Sequence, residues 1–355
     1  MKIAPLYHEL VKQDWFAPRI VHTGQHYAPN MSDAFFSDLQ LPAPDIHLGV
    51  GSGSHAEQTG RVMIAYEKAC MEDRPDWIVV VGDVNSTVAC ALVGAKLMIP
   101  VAHLEAGLRS GDRSMPEEIN RLVTDAIASL LWTPSSDGDQ NLLREGIAAE
   151  KIEQVGNIMI DSFELLAPKI RAAKTVERCG LEKLSYGIVT LHRPSNVDEK
   201  SQLALIVAEL RAIAARLPLI FPIHPRTRQR LEDFGLLPEL ESDKRIVLTG
   251  PLSYIEFMSL ALDCRLALTD SGGIQEETTY LGIPCLTLRD NTERPITVSA
   301  GTNRLVKAVD LEAAVDRVLQ SPPRAQCRID LWDGKTAQRV ADSLKRHAMG
   351  SQVSC

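Results

Sequence analysis

No apolar run in the chain approaches the roughly 18 residues that a membrane-crossing helix needs, so a membrane protein is not expected. The opening Met1-Lys2-Ile3-Ala4-Pro5 has no apolar signal-peptide core. The seven cysteines (70, 90, 179, 264, 285, 327 and 355) are scattered without a CxxC spacing, which argues against structural zinc and against a disulfide framework. Cys90, Cys264 and Cys285 lie in apolar stretches and read as reduced core residues, as expected in the cytoplasm. Excess basic charge is also missing: the formal net charge is −8, and a general nucleic-acid surface is not expected. No GxGxxG, P-loop, HExxH or GxSxG motif occurs, so nicotinamide chemistry, kinase-type transfer, zinc hydrolysis and serine hydrolysis lose support. Neither a cofactor nor a metal is expected.

The 355 residues present are enough for two domains. Apolar runs alternate with amphipathic stretches of helix length. Strands are expected at 19–23, 77–81, 100–104, 130–133 and 152–155, and again at 186–191, 217–223, 245–248, 265–269 and 284–288. Helices are expected at 58–73, 86–96, 117–129, 202–216 and 254–261. This alternation predicts an α/β protein of two Rossmann-like domains, each a parallel sheet with helices on both faces. A boundary near Leu166–Lys174 divides the chain into an N-terminal domain, 1–168, and a C-terminal Rossmann-like domain, 169–334. A C-terminal helix at 335–350 is expected to complete the first domain.

Polar motifs follow the apolar strands. Asp83-Val84-Asn85-Ser86-Thr87 follows Val79-Val80-Val81, and His103 and Glu105 follow Val101-Ala102. His192-Arg193-Pro194 follows Ile188–Leu191, His224-Pro225-Arg226 follows Phe221–Ile223, and Asp270-Ser271-Gly272-Gly273 follows Leu266–Thr269. Doubly wound sheets bind ligands beyond the carboxyl ends of their strands, so five such motifs point to one interdomain cleft.

The stretch from His103 to Arg121 interleaves carboxylates (Glu105, Glu117) with arginines (Arg109, Arg121). Arginine offers a planar fork for phosphate, and carboxylates move protons, so an enzyme handling an anionic substrate is indicated; solvated ion pairs on a surface helix are the plainer alternative. Ser271, Gly272 and Gly273 form a strand-to-helix turn whose backbone amides suit a diphosphate. Glu277 follows on that helix, either favouring the helix dipole or accepting from ribose hydroxyls. Arg289 and Arg294 follow the next strand, as phosphate contacts or surface ion pairs. Asp83 either caps the helix after it or takes part in chemistry. His192 is a proton shuttle, a phosphate donor or a structural histidine. His22, His26 and His55 lie in polar loops, as ligand contacts or in loop hydrogen bonds.

The motifs HTGQHY (22–27), GDVNST (82–87), HLEAGLRS (103–110), MPEEINR (115–121), GNIMID (156–161), LHRPSN (191–196), HPRTR (224–228), TDSGGIQEE (269–277) and RDNTERP (289–295) occur in that order. With them the chain resembles the non-hydrolysing UDP-N-acetylglucosamine 2-epimerases over essentially its whole length. The resemblance implies a glycosyltransferase-B-like fold, a UDP-sugar substrate and a homodimer. It implies inversion at C2 by elimination of UDP, through a 2-acetamidoglucal, and re-addition. It assigns acid–base carboxylates to Asp83, Glu105 and Glu117 and the catalytic histidine to His192. Substrate contacts fall to Lys2, Arg109, Arg121, His224, Arg226, Ser271, Gly272, Gly273, Glu277 and Arg294.

Two departures stand out. Family chains carry a first strand and a Gly-Thr/Ala-Arg-Pro turn before the position of Lys2, and this sequence is expected to lack them, which puts catalysis by the chain as written in doubt. Some bacterial relatives bind a second substrate molecule as activator; here Glu57 stands where an arginine is needed, so that regulation is not carried over. The alternatives are an epimerase of a 2,3-diacetamido uronic acid nucleotide, a hydrolysing variant, an inactive sugar-nucleotide-binding protein and a glycosyltransferase of the same fold.

Overall fold

The computed structural model describes residues 1–24, 36–325 and 327–350. The chain divides into two compact units, Met1–Leu165 with Asp330–Cys355, and Leu166–Ile329. The division falls inside one helix, Ile158–Ala172.

The first unit holds β1 (Val21–His22) and β2 (Ile46–His47), a parallel pair. Its main sheet has four parallel strands in chain order: β3 (Ile78–Val81), β4 (Val101–Leu104), β5 (Leu130–Thr133) and β6 (Ile152–Gln154). Alternate side chains feed opposite faces of this sheet, as the strand period of two requires. Ala102, Leu104, Leu130 and Trp132 pack with Leu6, Leu10, Val340 and Leu344 from the first and last helices. Ile78, Val80 and Val101 pack instead against Val62, Tyr66, Ala89 and Val93. Those four residues come from the helices His55–Glu72 and Asn85–Lys96. The terminal helix Thr336–Gly350 therefore belongs to the first unit, and Trp132 Nε1 donates to its Ser343 Oγ at 2.8 Å.

The second unit carries β7 (Gly187–Thr190), β8 (Leu219–Pro222), β9 (Ile246–Thr249), β10 (Leu266–Thr269), β11 (Cys285–Thr287) and β12 (Asn303–Leu305). They form one parallel sheet in the order β12-β11-β10-β7-β8-β9. Val189, Leu219 and Leu268 face one core; Ile188, Ile220 and Ala267 face the other. Burial on both faces explains why these strands read as continuous apolar runs. The chain runs outward from β7 to β9, then returns to the other side of β7 with β10. The order thus reverses at β7 and β10, where an open α/β sheet leaves a crevice for ligands.

The fold class expected from the sequence is the one observed: two sets of parallel strands with helices on both faces. Two short strands were not anticipated, β2 and β12. Among the described residues no helix is long and apolar enough to cross a membrane. Cys90, Cys264 and Cys285 are buried and free.

Candidate active site

In the first unit the ends of β3 and β4 carry the candidate carboxylates side by side, since Val80 pairs with His103 and Val81 with Leu104. Beyond β3 the chain turns through Gly82 at φ +70°. A side chain there would meet Glu105 Oε2 and Lys2 Nζ, both at 3.2 Å, so the turn needs glycine for space as well as for its backbone angle. Asp83 does not cap the helix that follows: the N-cap is Val84, which makes no side-chain cap bond. The Asp83 carboxylate instead accepts from Arg121 Nη1 at 2.5 Å, and its backbone carbonyl accepts from Asn120 Nδ2 at 2.9 Å.

Glu105 sits at φ +72° and is 3 % exposed. Lys2 donates to its Oε2, while Oε1 has no hydrogen-bond partner among the described residues. A buried carboxylate oxygen without a donor is costly unless something arrives to use it. Glu117 lies exposed in the first turn of the helix Pro116–Ile127, where its charge suits the helix dipole. Pro116, Asn120, Asn85 and His55 line an open groove beside it.

Arg109 and Arg121, expected to meet substrate, are placed in internal ion pairs. Arg121 is 2 % exposed and joins Glu118 (Nη2 to Oε2, 2.5 Å) to Asp83. Arg109 pairs with Asp125 at 2.7 Å and with Glu145 at 2.6 Å. Glu118 and Asp125 were not singled out in the sequence. Glu118 fixes the preceding loop by accepting from the Ser110 and Gly111 amides at 3.0 and 2.9 Å. Burial pushes its carboxyl up, but those amides and Arg121 bring it below the usual range.

In the second unit the loops after β7 and β10 meet at the reversal of strand order. Asp270, fully buried, accepts from the His192 and Arg193 amides at 3.0 and 2.9 Å and from Asn196 Nδ2 at 3.1 Å. His192 Nδ1 lies 3.0 Å from Asp270 Oδ1, so the ring is held by a buried carboxylate and remains part-exposed. His224 approaches it, ring centroid to ring centroid 5.5 Å. Burial and the neighbouring His192 push the His224 pKa down. His224 also caps the helix Pro225–Asp233, its Nδ1 accepting from the Arg226 amide at 3.2 Å. Arg226 pairs with Asp198 and lies at the surface.

The helix Gly272–Tyr280 starts after Ser271, which makes no side-chain cap bond, and its first amides point to the crevice end of β10. Gly272 is needed there: a Cβ would come within 2.6 Å of both Arg294 Nη1 and Glu293 Oε1. Arg294 thus lies directly under the turn, 7 % exposed, paired with Glu276 at 2.8 Å and Glu293 at 2.5 Å. Arg289 completes the cluster, 2.8 Å from Glu293. Glu277 accepts from Tyr254 Oη at 2.6 Å. Burial pushes its carboxyl up to about 8, with Glu276 adding to the rise and the Tyr254 bond opposing it.

Gln25, His26 and Tyr27 lie outside the described residues. His22 contacts His47 at 3.1 Å, and His55 contacts Asn85 at 3.2 Å. Glu57 forms a capping box with Ser54, a helix-start role that accounts for its charge.

The sequence pattern of the family described as UDP-N-acetylglucosamine 2-epimerase matches residues 8–345. The UDP-N-acetylglucosamine 2-epimerase of Methanocaldococcus jannaschii is 44 % identical, the match covering 97 % of this chain and 95 % of that protein. The UDP-2,3-diacetamido-2,3-dideoxy-D-glucuronate 2-epimerase of Pseudomonas aeruginosa is 39 % identical over 95 % of this chain and 94 % of its own. The crystal structure of the M. jannaschii enzyme in complex with UDP-GlcNAc and UDP superposes with a TM-score of 0.88 at 43 % identity, covering 97 % of this chain and 96 % of that one. Carboxylates at two neighbouring strand ends, an anion-ready turn at the strand reversal and these matches together place the chain in the UDP-N-acetylglucosamine 2-epimerase family.

Proposed function

We propose that the protein interconverts UDP-N-acetylglucosamine and UDP-N-acetylmannosamine by eliminating UDP and adding it back. The observation that carries this reading is Glu105, a buried carboxylate held by Lys2 through one oxygen while the other has no donor among the described residues. That is the state of a group awaiting a proton.

The reaction divides into two demands. A base takes the C2 proton, the C2–H electrons form the C1=C2 double bond, and the C1–O bond breaks with its pair leaving on the UDP diphosphate. The resulting glucal is re-protonated at C2 on the opposite face as a diphosphate oxygen returns to C1. Asp83, Glu105 and Glu117 are assigned to the proton transfers. Ser271, Gly272 and Gly273 are assigned to the diphosphate, whose charge grows as it leaves and is met by helix-terminal amides. His192, oriented by Asp270, is assigned to the same anion, with His224 beside it. Glu277, protonated at neutral pH, can both donate to and accept from ribose hydroxyls. Arg294 supports the turn from below, and Arg109 and Arg121 support the carboxylates; this reading moves them from substrate contact to scaffold.

The same reading makes the protein a cytoplasmic homodimer, which its free cysteines accommodate and light scattering tests. Incubation with UDP-N-acetylglucosamine, followed by proton NMR, should yield both UDP-linked epimers at equilibrium. Free N-acetylmannosamine would indicate the hydrolysing reaction. Turnover confined to the 2,3-diacetamido uronate nucleotide would replace the substrate, and no turnover of either would overturn the reading.

A further inference from the structure

His103 belongs to the first unit's buried charge network, and the proposed function leaves it without a task. It sits on β4 and is 0 % exposed. Its Nδ1 lies 2.6 Å from Asp125 Oδ1, and its Nε2 lies 2.8 Å from the Gly82 carbonyl. Neither partner supplies a proton. A carbonyl only accepts. Asp125 already accepts from Arg109 Nη1 at 2.7 Å and from the Gly107 amide at 3.1 Å, as an ionised carboxylate does. Both ring nitrogens must therefore donate, and a histidine that donates twice is a cation.

We propose that His103 is a permanently protonated imidazolium that positions Asp83 for the epimerisation by clamping the Gly82 carbonyl, with Asp125 as its counter-ion. The charge balance around it supports this. Burial alone pushes the His103 pKa down, but the Asp125 charge and hydrogen bond, the Gly82 carbonyl and Glu105 bring it above the ordinary value. Burial pushes Asp125 up, and His103 and Arg109 carry it below the ordinary carboxylate range. The charged groups around the ring are Asp125 from the helix Pro116–Ile127, Glu105 from the loop after β4, and Arg109 through Asp125.

The geometry gives the clamp its purpose. Gly82 is the left-handed residue that sets the direction of Asp83; its amide donates to the Leu104 carbonyl at 3.0 Å, and its carbonyl is the atom that His103 holds. The helix Pro116–Ile127 reaches this turn three times. Asn120 donates to the Asp83 carbonyl, Arg121 to its carboxylate, and Asp125 acts through His103 on Gly82. Positions 117, 120–121 and 124–125 recur at helical spacing along one face. One helix thus presents Glu117 and also fixes where Asp83 stands. His103 and Asp125 are positioning residues, and this role rests on the proposed epimerase reading; the protonation state does not.

The test uses the full chain labelled with 15N-histidine. One of the nine histidines should show two ring N–H signals, slowly exchanging and unchanged from about pH 6 to about pH 9, a range over which an ordinary histidine deprotonates. The His103→Gln variant should remove that signal, and Asp125→Asn should convert it to a single titrating N–H. In Asp125→Asn, kcat should fall roughly a hundredfold while UDP affinity stays within about threefold, as expected for a misplaced catalytic group. If every histidine carries a single N–H by pH 8, the proposal is wrong, whatever the protein turns over. If the doubly protonated ring is present but Asp125→Asn leaves kcat unchanged, the positioning role is wrong. Should neither variant fold, the wild-type spectrum still decides the charge. A protein that shows the signal but turns over no UDP-sugar refutes the epimerase reading and leaves the imidazolium standing.

Discussion

In the first unit, Asp83, Glu105 and Glu118 each face a cation: Arg121, Lys2 and Arg121 again. In the second unit, Asp270 is held mainly by amides and a histidine, and Glu277 by a phenol. Under the proposed function the contrast follows from what each region would have to do. Carboxylates that exchange protons at C2 must be fixed to within a fraction of an ångström, and the charge-assisted bonds from Arg121 to Asp83 and from Lys2 to Glu105 do that. On the proposed reading the second region receives a diphosphate. It presents backbone amides at a helix start, keeps its arginines neutralised beneath the turn, and holds one carboxyl protonated by burial.

The comparison breaks first, and by the largest margin, at the proton-transfer groups. Glu105→Gln and Glu117→Gln should each lower kcat by between about a hundredfold and ten-thousandfold while leaving UDP affinity near normal. Weak UDP binding with normal turnover at saturation would reverse the division of labour. In the second unit, Arg294→Ala should act mainly on stability. It strips a buried partner from Glu276 and Glu293, a loss of about 3 kcal/mol read from the urea midpoint. A variant of wild-type stability that simply binds UDP more weakly would restore Arg294 as a direct phosphate contact.

Gly272→Ala sharpens the contrast, because its methyl collides with Arg294 and Glu293, both at 2.6 Å, and must displace the helix start. The expected cost is about 1–3 kcal/mol, shared between stability and UDP affinity measured by calorimetry, with the chemical step at saturation little changed. An unaltered UDP affinity would remove the turn from the diphosphate site.

The last effect concerns Glu277 and is read from its pH dependence. Its folded-state pKa, raised from 4.5 to about 8, means that the native protein keeps a proton which the unfolded chain releases. Its contribution to stability is complete below about pH 4.5 and is lost as pH rises through about 8. Glu277→Gln is neutral throughout and has no such loss. The stability of the wild type relative to this variant should therefore decline between pH 5 and pH 9, by urea denaturation at each pH. A flat difference would mean that Glu277 is ionised in the folded protein.

The strands were legible in the sequence because burial on both sheet faces makes them dense apolar runs. The segment expected at 130–133 is Leu130–Thr133 as built, and that at 265–269 is Leu266–Thr269. Ile46–His47 and Asn303–Leu305 escaped because two- and three-residue strands carry too few alternations to show a period. The carboxylate and glycine motifs were visible because they are contiguous. The partners were not: His103 meets Asp125 across 22 positions, Arg121 meets Asp83 across 38, and His192 meets Asp270 across 78. Pairings of that separation are set by strand order, which no local pattern records. For that reason Arg109 and Arg121 read from the sequence as arms for phosphate, and their pairing with Asp125 and Asp83 came into view only in the fold.

The central claim is that a proton leaves and returns at C2 through the carboxylates of the first unit while UDP departs and rejoins. Turnover of UDP-N-acetylglucosamine in heavy water measures this directly. The account predicts deuterium at C2 of both UDP-linked epimers, with label appearing in step with epimerisation and vanishing in Glu105→Gln. Epimerised product that retains its original hydrogen at C2 would contradict it, because inversion would then proceed without exchange with solvent.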